Sequence, residues 1–182
     1  MSSQFHLEKI GESFDVFDEN GVSGFGILAL TNQQVEYHFN KEDISAEQAE
    51  AYISNVLNRL PEQSIDELCH LACRWKNDKM RSDSMDYPDG LAEVKGRDIL
   101  KHMGVGDVEL YRNPHDADDA MLGAVLGGGT DWDLENGMEI VIKGDKVLSV
   151  AEAEGFGESI LWYWDDEKLD YHCGDARYGE SL

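Results

Sequence analysis

The residues of this chain that best fit a chemical role lie between positions 127 and 137. A run of glycines is followed by alternating carboxylates and a further glycine: Gly127, Gly128, Gly129, Asp131, Asp133, Glu135 and Gly137. Alternating acids are typical of calcium loops, because Ca²⁺ takes several oxygen ligands from neighbouring positions. The EF-hand template fails, since counting from Asp131 puts Asn136 where the loop needs Gly and Ile142 where it needs Glu. A cation-dependent module or small enzyme centred on Asp131, Asp133 and Glu135 remains an alternative.

A structural role for the same segment is favoured over a cation site. Asp131 or Asp133 would accept hydrogen bonds from backbone donors in a turn, as Asp commonly does. Trp132 would anchor that turn in the core, and Gly137 would allow a positive φ before the next strand. We therefore predict a tight turn at 131–137, with no metal and no cofactor.

Residues 131–150 resemble a motif of uncharacterised bacterial proteins, in which a W-D-x-E-x-G turn precedes a β-hairpin. Here the motif is Trp132-Asp-Leu-Glu-Asn-Gly137, and the hairpin is Met138–Lys143 and Lys146–Val150 around Gly144-Asp145. Such proteins open with a β-meander and two helices, comparable to residues 5–79. Some of them resemble immunity proteins of bacterial toxin systems, which are small acidic proteins that neutralise one toxin. A His often takes the place of Asn136, so the resemblance implies the hairpin rather than a catalytic residue.

Two cysteines lie four residues apart in the sequence Cys69-His-Leu-Ala-Cys73. On a helix they share one face, so both could bind one metal ion. Structural zinc needs four ligands, and the third cysteine, Cys173, is remote in sequence. Because Cys is among the most buried residue types, two core thiols are favoured. Whether Cys69, Cys73 and Cys173 bind a metal stays open.

The net charge is the strongest indication of a partner. Asp and Glu total 38 and Lys and Arg 15, giving a formal charge of −23 on 182 residues. Such a charge repels nucleic acid and favours a basic protein partner. An aromatic run at 160–164 leads into a carboxylate cluster, which predicts a binding surface of Trp162, Trp164, Asp165, Asp166 and Glu167.

No catalytic sequence motif is present: the chain has no G-x-S-x-G, H-E-x-x-H, P-loop or G-x-G-x-x-G pattern. An enzyme is therefore less favoured than an acidic cytosolic protein-binding module, of which a toxin-immunity protein is the sharpest form. A non-catalytic subunit of a larger assembly is a further alternative. The N-terminal residues lack the basic and apolar regions of a signal peptide, and no apolar run reaches membrane-spanning length, so we expect no signal peptide and a cytoplasmic location. The oligomeric state is not predicted.

The periodicity predicts a single α+β domain over residues 1–182. Its parts are a β-meander at 5–39, a helical pair at 45–79, a mobile loop at 80–95 and C-terminal strands at 107–172. We expect an antiparallel sheet with the two helices packed as a layer on one face.

Three finer expectations concern where the helices begin and end. Ser45 with Gln48 predicts a capping box, and Ser64 with Glu67 predicts a second one. The acids at 116–119 could open a short helix that the glycines at 127–129 would end.

Overall fold

A computed structural model describes residues 6–9, 20–82, 85–113, 115–116, 118–153, 170–173 and 176–179. For strands 6–9, 170–173 and 176–179 only the backbone is considered. The fold is α+β with a single, mostly antiparallel sheet, as predicted. The strands are β1 (His6–Lys9), β2 (Gly21–Leu28), β3 (Gln33–Asn40), β4 (Met103–Arg112), β5 (Leu122–Thr130), β6 (Asp133–Lys143), β7 (Lys146–Glu152), β8 (Asp170–Cys173) and β9 (Ala176–Gly179). The helices are α1 (Ala46–Asn55) and α2 (Glu62–Ser82), with 3₁₀ segments at Leu57–Arg59, Leu91–Glu93 and Gly96–His102.

The strands lie in the sheet in the same order as in the sequence. Neighbours pair antiparallel except β3 with β4 and β7 with β8, which are parallel. The chain between β3 and β4 contains both α-helices, and such a long crossover is what a parallel pair requires. The predicted antiparallel pairing is therefore confirmed for most of the sheet, and these two parallel pairs were not predicted.

The beginning of α1 is set by its first residues, as predicted. The Ser45 hydroxyl accepts a hydrogen bond from the backbone N–H of Gln48, and the Gln48 side chain accepts one from the N–H of Ser45. The second predicted capping box is wrong, because α2 begins at Glu62, directly after Pro61. Ser64 is buried inside the helix, and its hydroxyl donates to the carbonyl of Asp145 at the hairpin tip. It therefore ties α2 to the sheet.

The glycine run at 127–129 belongs to β5 and does not end a helix. A Cβ atom on Gly128 would lie 1.9 Å from the carbonyl oxygen of Gly104 on β4. The strands approach so closely only because this position has no side chain. Gly128 therefore serves strand packing, which is a use of Gly that sequence periodicity does not distinguish from a helix stop.

One face of the sheet, here called the inner face, contributes to the main core, which also contains residues of both helices. Residues of β3, β5 and β6 alternate into it, and Trp75 of α2 and Trp132 are among its largest fully buried side chains. Among the helices that the structure describes, none is long and apolar enough to cross a membrane. The opposite face, here called the outer face, is partly open.

Candidate functional site

The predicted turn at 131–137 is shorter in the structure: it comprises Asp131 and Trp132, and β6 begins at Asp133. The first residue of β6 holds one carboxylate inside the protein. Asp133 is buried, and its carboxylate lies 2.9 Å from the Nζ atom of Lys79 on α2. The same carboxylate accepts hydrogen bonds from the backbone and side-chain amides of Asn136, while the N–H of Asp133 donates to the Thr130 hydroxyl. A buried charge needs such pairing, so Asp133 has a structural role.

Trp132 anchors this turn in the core. Its ring packs edge-to-face on Trp75 of α2, with the centroids 5.3 Å apart and an interplanar angle of 85°. Only 1% of Trp132 is exposed, which confirms its predicted burial. The turn leads into β6. Within that strand, Gly137 has a positive φ of 75°, as predicted.

Asp131 points away from this buried pair. Its carboxylate lies 2.8 Å from Nδ1 of His102, and its N–H donates to the carbonyl of His102. Both side chains are partly exposed and line an open cavity of about 390 Å³. A carboxylate on Nδ1 fixes the orientation of an imidazole and leaves Nε2 facing other groups. The pair is the most enzyme-like arrangement near the motif.

The three candidate carboxylates of the motif do not converge. Asp133 pairs with Lys79, Asp131 pairs with His102, and Glu135 is exposed to solvent. Over the described part of the chain, no three His, Cys, Asp or Glu side chains are grouped so as to hold a metal ion. The geometry therefore assigns different roles to the three acids.

A second cluster of acids lies on the outer face, where strand register brings it together. Phe25 of β2 pairs with Glu36 of β3, and Glu36 pairs with Asp107 of β4. The row continues through Gly127 to Glu139 of β6. Since paired residues point to the same side of a sheet, three carboxylates face one way along this row.

The neighbouring row adds another acid and a histidine. His38 of β3 pairs with Glu109 of β4, two residues along from the first row. His38 Nε2 lies 3.9 Å from the Glu36 carboxylate. Burial raises the pKa of the Asp107 carboxyl; His38 lowers that pKa in part, and Glu36 raises it. The negative charge of Asp107 is thus held where its surroundings disfavour it.

The outer face is exposed to solvent where β2–β4 form it and buried where β5–β7 form it. Phe25 and Ile27 are 40% and 38% exposed, which is high for large apolar side chains on a strand. Val125, Val141 and Leu148 form a small buried cluster of their own on this face. The name open patch is used below for Phe25, Ile27, Glu36, His38, Asp107 and Glu109.

Sequence reasoning missed the open patch. Its signal was the alternation of Glu36 and His38 with apolar neighbours in β3, which places them opposite the core. The binding residues predicted from the aromatic run, 162 and 164–167, lie outside the described residues. Cys69 and Cys73 are free thiols on α2, and the Cys173 side chain is outside the description.

Comparison with known proteins finds one family. The profile of a family described as a domain of unknown function, DUF6985, matches residues 13–157. No curated protein and no solved structure matches the chain. The matched residues include both helices, the turn motif and the open patch.

Proposed function

The chain belongs to the DUF6985 family, and we propose that it is an acidic protein-binding module that docks a basic protein on its open patch. The observation that carries this proposal is the register of Phe25, Glu36 and Asp107, which sets carboxylates beside exposed apolar groups on one sheet face. Patches of this composition supply both the apolar anchors and the charged groups that protein interfaces use.

Charge supports a basic partner. With a formal charge of −23, the whole protein attracts cationic surfaces, and acids clustered on one face direct them to it. Complementary charge mainly raises the association rate, from the ordinary ~10⁵–10⁶ M⁻¹s⁻¹ toward 10⁸ M⁻¹s⁻¹ or more at low salt. A partner with several Lys or Arg residues would fit this face.

The position of Asp107 supports binding over a purely solvating role for the acids. A carboxyl whose pKa is raised by burial weakens the folded state at neutral pH. A cationic side chain from a partner would relieve that cost in the complex. Functional sites commonly hold groups that stability alone would not favour.

The finer expectations from the sequence belong to the same proposal. The sharpest form of the function is an immunity protein that neutralises a basic bacterial toxin in the cytoplasm. The two helices would form one layer over the inner face, which would leave the outer face for the partner. Contacts of Tyr52 with Gly144 and of Ser64 with Asp145 support that layer, since each helix touches the hairpin tip. The aromatic and acidic residues at 162–167 would extend the binding surface.

The rival proposal, a small enzyme, now depends on the His102–Asp131 pair rather than on three acids together. Thr130 supplies the hydroxyl in that cavity, and its oxygen already accepts the N–H of Asp133. The pair provides an orienting carboxylate and an imidazole, but among the described residues no hydrogen bond joins that imidazole to the Thr130 hydroxyl. A non-catalytic subunit remains compatible with the binding proposal, because it too would use a docking face.

The test is a capture experiment from the native host with three forms of the full-length protein. The patch variant carries Glu36→Gln, Asp107→Asn and Glu109→Gln. The control variant carries Glu42→Gln, Asp43→Asn and Glu47→Gln, three exposed acids before and in α1 that give the same change in net charge. We expect a basic protein retained by the wild type and the control and lost by the patch variant. A partner retained equally by all three forms would overturn the assignment to this face.

A further inference from the structure

The two thiols of α2 face a cavity that the proposed binding function does not use. Cys69 is fully buried and Cys73 half-buried, and both line a cavity of about 470 Å³ between α2 and the segment at 92–96. Their separation of four residues places them one helical turn apart on the same side of α2. The cavity gives a small molecule room beside both cysteine residues.

The polar side chains that line this cavity beside the two thiols are Asp66, His70, Asn77 and Lys95. Asp66 already accepts a hydrogen bond from Arg97 at 2.7 Å. Cys73 donates only a weak hydrogen bond, with its Sγ atom 3.9 Å from the carbonyl oxygen of Gly96. Two thiols therefore share a wall of the cavity without strong partners of their own.

The number of protein ligands in this cavity indicates which kind of atom it could bind. Structural zinc takes four protein ligands and calcium takes six to eight oxygens, whereas the described residues include no metal-holding group of three. A pair of sulfurs suits a soft acceptor that needs only two bonds from the protein. We propose that Cys69 and Cys73 form a dithiol site for a thiophilic atom, of which trivalent arsenic is the representative.

The reaction with a trivalent arsenical balances without an oxidant or a reductant. With phenylarsine oxide, two S–H bonds and the arsenic–oxygen bond break and two arsenic–sulfur bonds form. The two thiol protons leave with the oxygen as one water molecule, and arsenic stays trivalent. Burial raises the pKa of Cys69 to about 11 and also raises that of Cys73. The thiolate fraction, and with it the rate of arsenic–sulfur bond formation, should therefore increase as the solution becomes more alkaline.

The two-thiol geometry separates this site from any single cysteine. A second sulfur on the same helix makes the second bond intramolecular, which strengthens retention by about a hundred-fold or more. Excess 2-mercaptoethanol removes arsenic from single thiols and leaves a protein dithiol complex. Cys173→Ser is the matched control, because it removes a thiol while keeping Cys69 and Cys73.

The experiment incubates the reduced full-length protein with phenylarsine oxide in excess 2-mercaptoethanol and counts bound phenylarsenic groups by intact mass. We expect one group on the wild type and on Cys173→Ser, and an approximately hundred-fold weaker retention on Cys73→Ser and Cys69→Ser. Circular dichroism checks that each variant is folded. If Cys69→Ser does not fold, the result for Cys73→Ser alone tests the proposal, because Cys73 is only half-buried. Equal retention by Cys73→Ser, loss in Cys173→Ser, or no retention by the wild type would each overturn the proposal.

Discussion

Charged side chains have different kinds of neighbours on the two sides of the sheet. On the inner face, the buried carboxylate of Asp133 meets Lys79, and the buried ammonium of Lys76 donates to the carbonyls of Leu91 and Val94 at 2.8 and 2.9 Å. These two buried charges are thus each matched to a partner. On the outer face, register places Glu36 beside Asp107, so like charges are neighbours.

This difference separates groups that hold the fold together from groups available for recognition. A paired inner charge is costly to disturb, because removing one partner leaves the other buried and uncompensated. A partly exposed carboxylate beside another carboxylate contributes little to stability and is available to a cation from outside. Substitutions on the inner face should therefore change the free energy of unfolding, and those on the open patch should change binding.

The largest expected effect on the inner face is at Trp132. Trp132→Ala would remove the ring that packs on Trp75 and leave a cavity, at a cost of about 3–5 kcal/mol in the free energy of unfolding. Leu134→Ala is the control, because Leu134 is 72% exposed and its loss should change stability by about 0.5 kcal/mol or less. Urea denaturation measures both. Similar values for the two variants would contradict the anchoring role of Trp132.

Next in size is the buried ion pair. Lys79→Met would leave Asp133 charged with only its amide donors, which should cost about 3 kcal/mol. Lys101→Met breaks an exposed pair with Asp98 and should change the free energy of unfolding far less, because solvent screens that pair. Denaturant unfolding measures both variants. A double-mutant cycle of the wild type, Lys79→Met, Asp133→Asn and the double variant gives the coupling energy between Lys79 and Asp133. A coupling near zero would show that Lys79 and Asp133 act independently.

The glycine run offers a smaller and more local test. Gly128→Ala places a Cβ against the backbone of Gly104 and should destabilise the protein by about 1–3 kcal/mol, since the strands must move apart. At Gly129, a Cβ would meet nothing within 4 Å, so Gly129→Ala should be tolerated. Thermal unfolding compares the two. If both variants lowered the melting temperature equally, the close approach of β4 and β5 would not explain why position 128 is a glycine.

The smallest stability effect is expected on the open patch. The folded-state pKa of Asp107 is raised, so the folded protein binds a proton more tightly there than the unfolded chain. Stability therefore falls as pH rises through this pKa, and Asp107→Asn should stabilise the protein at pH 7 and lose that gain below the ordinary pKa of 3.8. Glu47→Gln is the control, because Glu47 is exposed. Urea midpoints at several pH values measure the difference, and a loss of stability at pH 7 would refute the sign.

The parts of the fold that local sequence could predict were those decided by neighbouring residues. The capping box at Ser45 and the hairpin turn at Gly144 are of this kind, since each needs only a few adjacent positions. The role of Gly128 and the ion pair of Asp133 depend on residues far along the chain. The open patch depends on cross-strand register between β3 and β4, which are separated by two helices. Such register follows from tertiary packing rather than from any short pattern.

The central claim, that the open patch directs a basic partner, is tested most directly by association kinetics at several salt concentrations. The partner captured by the wild type would be purified and its association rate measured with the wild type, the patch variant and the control variant. For the wild type and the control variant, we expect the association rate to fall steeply with salt, because exposed charges are screened beyond about 10 Å at 0.1 M salt. For the patch variant, we expect a slower association rate and a shallower salt dependence. Identical salt dependence in the patch and control variants would contradict the central claim, because the face would then contribute no more than any other acids on the surface.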